Sequence, residues 1–283
     1  MAIMLEGRPV ARAILAKARD EIVTFATQYG FTPSLSVVNT GDDASAVAYA
    51  RAIERTAHST GVPYLRVDLP ADVTNEQFDK SIQQLNDDPT VGGIIVLQPL
   101  PPHLSKARPA EIVKPTKDID GITLVNIGRL DAGSSDLVPS TPAGGVAILH
   151  HYGIPIAGKH VVIVGRSLVV GKPLAMMMLA EDATITICHS RTPDLARFTC
   201  QADIIALAAG RPGILTAEMV RPEAVVLDFG VTVIDGKLTG DADPGVAEVV
   251  HAITPVPGGT GVVTNAILLR NLASAIRHLD LRD

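Results

Sequence analysis

Tryptophan is absent from this 283-residue chain, and aromatic residues make up only 3% of it. Its cores must therefore be built from Ala, Val, Leu and Ile, the composition of parallel sheets covered by helices. Cys188 and Cys200 are the only cysteines, too few for a disulfide framework and not spaced as zinc ligands. Both read as small buried residues in a reducing compartment, and no metal site is expected. Charge is scarce too: 19% of residues are charged, with 24 Lys and Arg against 30 Asp and Glu, and no basic block occurs. That argues against nucleic acid as a partner. No apolar run approaches the about 18 residues that span a bilayer, and Glu6 and Arg8 interrupt anything resembling a signal peptide. A cytoplasmic protein with no membrane partner is expected.

What the chain does contain is apolar and regularly spaced. With 47% hydrophobic residues, it should bury roughly three quarters of its unfolded surface, and its length suits two domains. From Arg8 to Phe25 the residues Val10, Ile14, Leu15, Ile22 and Phe25 recur at helical spacing, and Leu35, Val37 and Val38 then form a β-like run. The pattern predicts a helix from Ala44 to Thr60, a strand from Pro63 to Leu69, and a helix from Glu76 to Leu85 behind an N-cap at Thr74. A buried strand from Gly93 to Leu97 is stopped by Pro99, Pro101 and Pro102.

The second half opens with a helix from Ala143 to His151. Strands from His160 to Val164, Thr184 to Cys188, Asp203 to Ala208 and Ala224 to Phe229 alternate with helix-sized segments, the pattern of a parallel, nucleotide-binding sheet. A final helix from Asn265 to Leu279 is expected to return to the first domain. The expected domains are 1–138, completed by 265–283, and 139–264.

The strand ending at Val164 runs into Gly165-Arg166-Ser167 and, at the start of the next helix, Gly171-Lys172-Pro173. Gly165 suits a tight turn, Ser167 offers a hydroxyl to a phosphate, Gly171 permits close backbone approach, and Pro173 fits a first helical turn whose N–H groups attract anions. A plain strand-to-helix connection is the competing reading. At the end of the next strand an NAD enzyme usually carries an acid for the ribose hydroxyls. Here Ser190 and Arg191 stand instead, suited to a 2′-phosphate, with Arg166 as a second cation. NADP is therefore favoured over NAD.

These motifs occur in order with others. Gly41-Asp42-Asp43 precedes a helix carrying Tyr49; then come Gly93 to Pro101, Lys117-Asp-Ile-Asp-Gly121, Asn126-Ile-Gly-Arg129, Ser140-Thr-Pro142, Cys188 to Thr192 and Ile253 to Gly259. Together they resemble the methylenetetrahydrofolate dehydrogenase/methenyltetrahydrofolate cyclohydrolase family of the bacterial bifunctional type, over essentially the whole chain. The resemblance implies an α/β protein of two domains, an αβα folate-binding domain facing a Rossmann-type NADP-binding domain across a cleft, usually as a homodimer. It implies a tetrahydrofolate derivative as substrate. It also implies two reactions, oxidation of 5,10-methylenetetrahydrofolate with NADP and hydrolysis of the methenyl product to 10-formyltetrahydrofolate. Tyr49 would stack on the folate, Asp120 would hydrogen-bond the pterin, and Pro257, Gly258 and Gly259 would line the cleft.

Two positions at the chemical centre depart from the family. Its Lys, four residues after the Tyr, is Ile53 here, and no nearby Lys can replace it. Its strand Gln is displaced by one, to Gln98, so that without a bulge Leu97 enters the cleft and Gln98 leaves it. In the family the Lys and Gln partner in activating water. A smaller departure is Val262-Val263, where the family commonly has Pro-Met. Hydrolysis needs a positioned proton carrier, whereas hydride transfer depends mainly on orientation. The expectation is therefore a dehydrogenase with weak or lost cyclohydrolase. An ordinary bifunctional enzyme and a non-catalytic folate- or NADP-binding homologue remain as alternatives.

Overall fold

In the computed structural model, which describes residues 2–279, the chain begins with Ile3–Met4 (β1) and a long helix, Gly7–Tyr29 (α1). Three strands and their helices follow: Ser34–Thr40 (β2), Ala44–Ser59 (α2), Tyr64–Leu69 (β3), Asn75–Asp87 (α3) and Val91–Val96 (β4), then the short helices Arg108–Ile112 (α4) and Leu124–Asp131 (α5). After Ser140–His151 (α6) come His160–Val164 (β5), Gly171–Ala180 (α7), Thr184–Cys188 (β6), Ala196–Thr199 (α8), Ile204–Leu207 (β7) and Val225–Asp228 (β8). A hairpin of Thr232–Ile234 (β9) and Lys237–Thr239 (β10) precedes Val246–Val249 (α9), Ala252–Ile253 (β11) and Thr260–Ala275 (α10).

The chain divides into two units. One comprises Ala13–Ser140 and the segment from Asn265 onward; the other comprises the residues up to Arg12 and Thr141–Thr264. The expected limits of the first domain differ from this at the start of the chain: Ile3 and Met4 pair in parallel with Ala252 and Ile253, so β1 belongs to the second unit's sheet. Residues 1 and 280–283 of those limits lie outside the described range.

The first unit holds a parallel three-stranded sheet in the order β3-β2-β4. Alternation along its strands sorts two cores. Leu35, Val37, Ile95 and Leu97 pack on one face with Ala46, Ala50, Ile53 and Ala57 of α2; Val38, Ile94 and Val96 pack on the other with Phe78, Ile82 and Leu85 of α3. The buried stripe of α2 recurs at helical spacing and is alanine apart from Ile53. Asp43 caps α2, its Oδ1 accepting from the N–H groups of Ser45 and Ala46 at 2.9 and 3.0 Å. Thr74 and Gln77 form a reciprocal capping box on α3. At the other end of α3 the buried Lys117 ammonium donates to the carbonyls of Leu85 (3.0 Å) and Asp88 (2.6 Å).

The second unit holds a parallel six-stranded sheet in the order β1-β11-β8-β7-β5-β6. β5 lies between β6 and β7, so the strand order reverses at its C-terminal end, where doubly wound sheets open a ligand crevice. Two further expectations need correction. The last helix starts at Thr260, not Asn265. Cys188 is buried but Cys200, at the end of the short α8, is exposed, its thiol near the Glu218 carbonyl at 3.6 Å.

Candidate functional site

In the first unit, Tyr49, Ile53 and Leu97 meet on one face of the sheet. β2 and β4 are neighbours with Val38 opposite Val96, and the Leu97 N–H extends the ladder to the Val38 carbonyl at 2.9 Å. Leu97 thus keeps the orientation of Ile95 and joins the cluster that contains Ile53, with Ile119 and Leu137 beside them and Tyr49 packed against it. Ile53 is 0% exposed and Leu97 3%. Gln98 is exposed, and its Oε1 accepts from the Leu100 N–H at 3.3 Å. Arg51 and Arg55 are also exposed.

Asp120 completes this group. The Ser140 hydroxyl, itself buried, donates to its Oδ1 at 2.8 Å. Burial pushes the Asp120 carboxyl up to about 7; the Ser140 bond opposes that rise and the Asp118 charge adds to it. Burial also holds the Tyr49 phenol well above its ordinary range, with the charge of Asp120 reinforcing the effect. Around Asp120 the motif residues are structural. Asp118 accepts from the N–H groups of Ile122 (3.1 Å) and Thr123 (2.8 Å) and from the Asn126 amide (2.9 Å). The fully buried Asn271 of α10 donates to the carbonyls of Ile119 and Val138, both at 2.8 Å, which ties the segment carrying Asp120 to the one leading to Ser140.

In the second unit a cavity of about 690 Å³ opens where β5, β6 and β7 end. Gly165, Arg166, Ser190, Thr192, Ala208 and Arg211 are among the residues lining it. Gly165 has a φ of +139°, and a Cβ there would stand 2.3 Å from the Ala208 carbonyl oxygen. Gly171 is equally confined, because its Cβ would meet the Gly165 carbonyl oxygen at 2.2 Å. The Ser167 hydroxyl accepts from the Val170 N–H at 3.1 Å and so braces the turn. Pro173 sits buried in the first turn of α7, whose N-terminus has no side-chain cap. The N–H groups of Gly171 and Lys172 both turn back to Ser167, so the close-packed glycine turn and the guanidinium groups of Arg166 and Arg211 are what suit a dinucleotide's phosphates. Arg191 is exposed and does not line this cavity, whereas Arg211 does. Sequence reasoning passed over Arg211; a cation directly after Ala208-Ala209-Gly210 at the end of a sheet strand was the available signal.

Pro257, Gly258 and Gly259 also belong to the second unit. Pro257 is exposed, the Gly258 carbonyl accepts from the Gly7 N–H at 2.8 Å, and the Gly259 N–H donates to the Pro255 carbonyl at 2.8 Å. A Cβ on Gly259 would stand 2.6 Å from that same Pro255 oxygen, so this glycine closes the loop on itself.

Known proteins match along nearly the whole chain. The catalytic domain described as tetrahydrofolate dehydrogenase/cyclohydrolase matches residues 5–120, and the NAD(P)-binding domain of the same family matches residues 139–279. The bifunctional protein FolD of Thermomicrobium roseum is 48% identical over 280 residues, which are 99% of this chain and 96% of that protein. The crystal structure of the bifunctional FolD methylenetetrahydrofolate dehydrogenase/cyclohydrolase from Campylobacter jejuni superposes with a TM-score of 0.95 at 34% identity, covering 98% of this chain and 99% of the other. The Trypanosoma brucei enzyme, solved with NADP and an inhibitor, superposes with a TM-score of 0.92 at 35% identity and 98% coverage of each chain. Both domain matches and the whole-length relatives therefore agree: this chain belongs to the tetrahydrofolate dehydrogenase/cyclohydrolase family.

Proposed function

We propose that this protein is an NADP-dependent 5,10-methylenetetrahydrofolate dehydrogenase that forms the 5,10-methenyl product and hydrolyses it weakly or not at all. The observation that carries the reading is the apolar pair Ile53 and Leu97, both buried in one cluster at the end of β4. NADP, when bound, supplies the hydride acceptor. The chain's own residues hold and orient. Tyr49 offers a ring to the folate, and Asp120, fixed by Ser140, offers a carboxyl that is partly protonated near pH 7 and both donates and accepts hydrogen bonds. Hydride transfer asks for little more than that geometry.

Hydrolysis asks for a group that moves protons to and from an attacking water, work worth about 10²- to 10⁴-fold. Ile53 and Leu97 have no such group. Tyr49 does not replace it, because burial and the neighbouring carboxylate keep its phenol protonated. An apolar wall beside the bridge carbon also excludes water from the product.

The names of the relatives favour a second reading, the ordinary bifunctional enzyme. In it Asp120 would have to serve as the proton carrier. Supplying purified methenyltetrahydrofolate and following its loss separates the two readings. The dehydrogenase reading expects the same decay with and without protein, and protein-dependent decay at a rate matching dehydrogenation overturns it. Supporting a homodimer in the same reading is the exposed apolar surface of Val231, Val233, Ile234 and Leu238 at the β9–β10 hairpin. No helix of the described residues is long and apolar enough to cross a membrane, in keeping with the cytoplasmic site we propose.

A further inference from the structure

The wall of the dinucleotide cavity that follows β7 is built with unusual care for a surface loop. Arg211-Pro212-Gly213-Ile214 has the pattern of a type II turn, with Pro second, Gly213 third at a φ of +71°, and the Ile214 N–H reaching the Arg211 carbonyl at 3.3 Å. On the near side of this turn the N–H groups of Ala209 and Gly210 both donate to one oxygen of Asp241, at 2.7 and 2.9 Å. On the far side the Ile214 N–H also meets the Asp241 carbonyl at 3.0 Å. Asp241 is itself fully buried, and Asp228 at the end of β8 fixes it by accepting from the N–H groups of Asp241 (3.0 Å) and Ala242 (2.9 Å). A buried carboxylate is thus committed to a turn whose outward product is a single guanidinium.

That guanidinium has no hydrogen-bond or ion-pair partner among the described residues. It lines the cavity together with Arg166 and Ser190, which rise from the ends of β5 and β6. Glu218 is the one carboxylate among the lining residues. Arg191, next to Ser190 in sequence, is not among them. Unpaired guanidinium groups from two different loops suit a dianionic phosphate, which takes charge-assisted bonds from several directions.

We propose that Arg211 is a specificity-determining residue for the cofactor's 2′-phosphate, sharing that group with Arg166 and Ser190, and that Asp241 is the positioning residue that holds the Arg211 turn in place. The proposal rests on the reading that NADP is the cofactor.

Calorimetric titration of NADP and NAD into the full-length protein and its variants tests it without turnover. Arg211→Gln should weaken NADP binding about tenfold or more while leaving NAD within about twofold, since a charge-assisted phosphate contact is lost and nothing else. Arg211→Lys should recover part of the preference. Asp241→Ala should lower the NADP-to-NAD ratio in the same direction, Asp241→Asn should retain most of it through its amide oxygen, and Asp241→Ala should add little to the ratio once Arg211 is Gln. Equal weakening of both dinucleotides by Arg211→Gln overturns the proposal, because contact with the shared part of the cofactor would then explain it; so does an unchanged NADP affinity. If a variant folds poorly, adenosine 2′,5′-bisphosphate against adenosine 5′-monophosphate on Arg211→Lys and the unaltered protein gives the same comparison, with a smaller bisphosphate preference in the variant expected and an equal one contrary. Preference of the unaltered protein for NAD would refute the cofactor reading itself, a result distinct from either failure.

Discussion

At the scale of single residues, Ile53 and Leu97 carry no group that can move a proton. Replacing Ile53 by Lys alone places an ammonium at a fully buried position among Ile95, Leu97, Ile119 and Leu137, so a stability loss on the order of 2–4 kcal/mol is expected in denaturant melts. Adding Leu97→Gln supplies a hydrogen-bond partner. The double variant should regain part of the loss and raise methenyl hydrolysis about tenfold or more over the unaltered protein. A double variant that is folded and hydrolyses no faster would mean that these two positions do not explain the activity. The two apolar residues continue the helical stripe of α2 and the alternation of β4, so they were legible only against the Lys and Gln of the family they resemble. The condition of Asp120 was not legible. Its raised carboxyl depends on burial and on Ser140, twenty positions along the chain, and nothing local to the Asp-Ile-Asp-Gly run distinguishes Asp120 from Asp118, which caps backbone N–H groups.

At the scale of elements, the function proposed above gives the strand-turn-helix of Gly165 to Ala180 the part for the cofactor that it gives α2 and β4 for the folate: a backbone that side chains alone could not set. Gly165→Ala places a Cβ against the Ala208 carbonyl in a conformation side chains rarely adopt, so it should cost about 1–3 kcal/mol of stability and most of the NADP affinity. Folate binding by the other unit should be spared. Thermal melts with each ligand read both effects, and a variant that binds NADP normally contradicts the role given to this turn. The sheet strands were legible because buried parallel strands are unbroken apolar runs, as in Val161 to Val164 and Ile204 to Leu207. β1 was not, since two residues carry no period and their partners in β11 lie at the far end of the chain. The start of α10 was also missed: Thr260-Gly261-Val262-Val263 has poor helix formers, and only tertiary packing makes it helical, with Val263 fully buried.

At the scale of the whole molecule, pH separates the ion-paired acids from Asp120. Asp79, bonded by Arg108, and Asp203, bonded first by the His160 N–H and then paired with Arg221, sit below the ordinary carboxylate range, so their contributions are present at neutral pH and are lost as pH falls through their lowered values. Asp120 has the opposite sign. Its folded value, about 7, exceeds the ordinary 3.8, so the folded protein binds the extra proton and the stabilisation is complete below about pH 4 and lost as pH rises through 7. Asp120→Asn should remove that slope: the stability of the unaltered protein relative to the variant should decline between pH 4 and 7, and a flat difference contradicts the assignment. The central claim concerns flux through the molecule, and one progress curve tests it. With 5,10-methylenetetrahydrofolate and NADP, NADPH and the methenyl chromophore are followed together in a buffer where uncatalysed hydrolysis is slow. The account predicts that they rise in equal amounts and that methenyltetrahydrofolate accumulates; NADPH formation with no methenyl accumulation, and 10-formyltetrahydrofolate as the product, would contradict it.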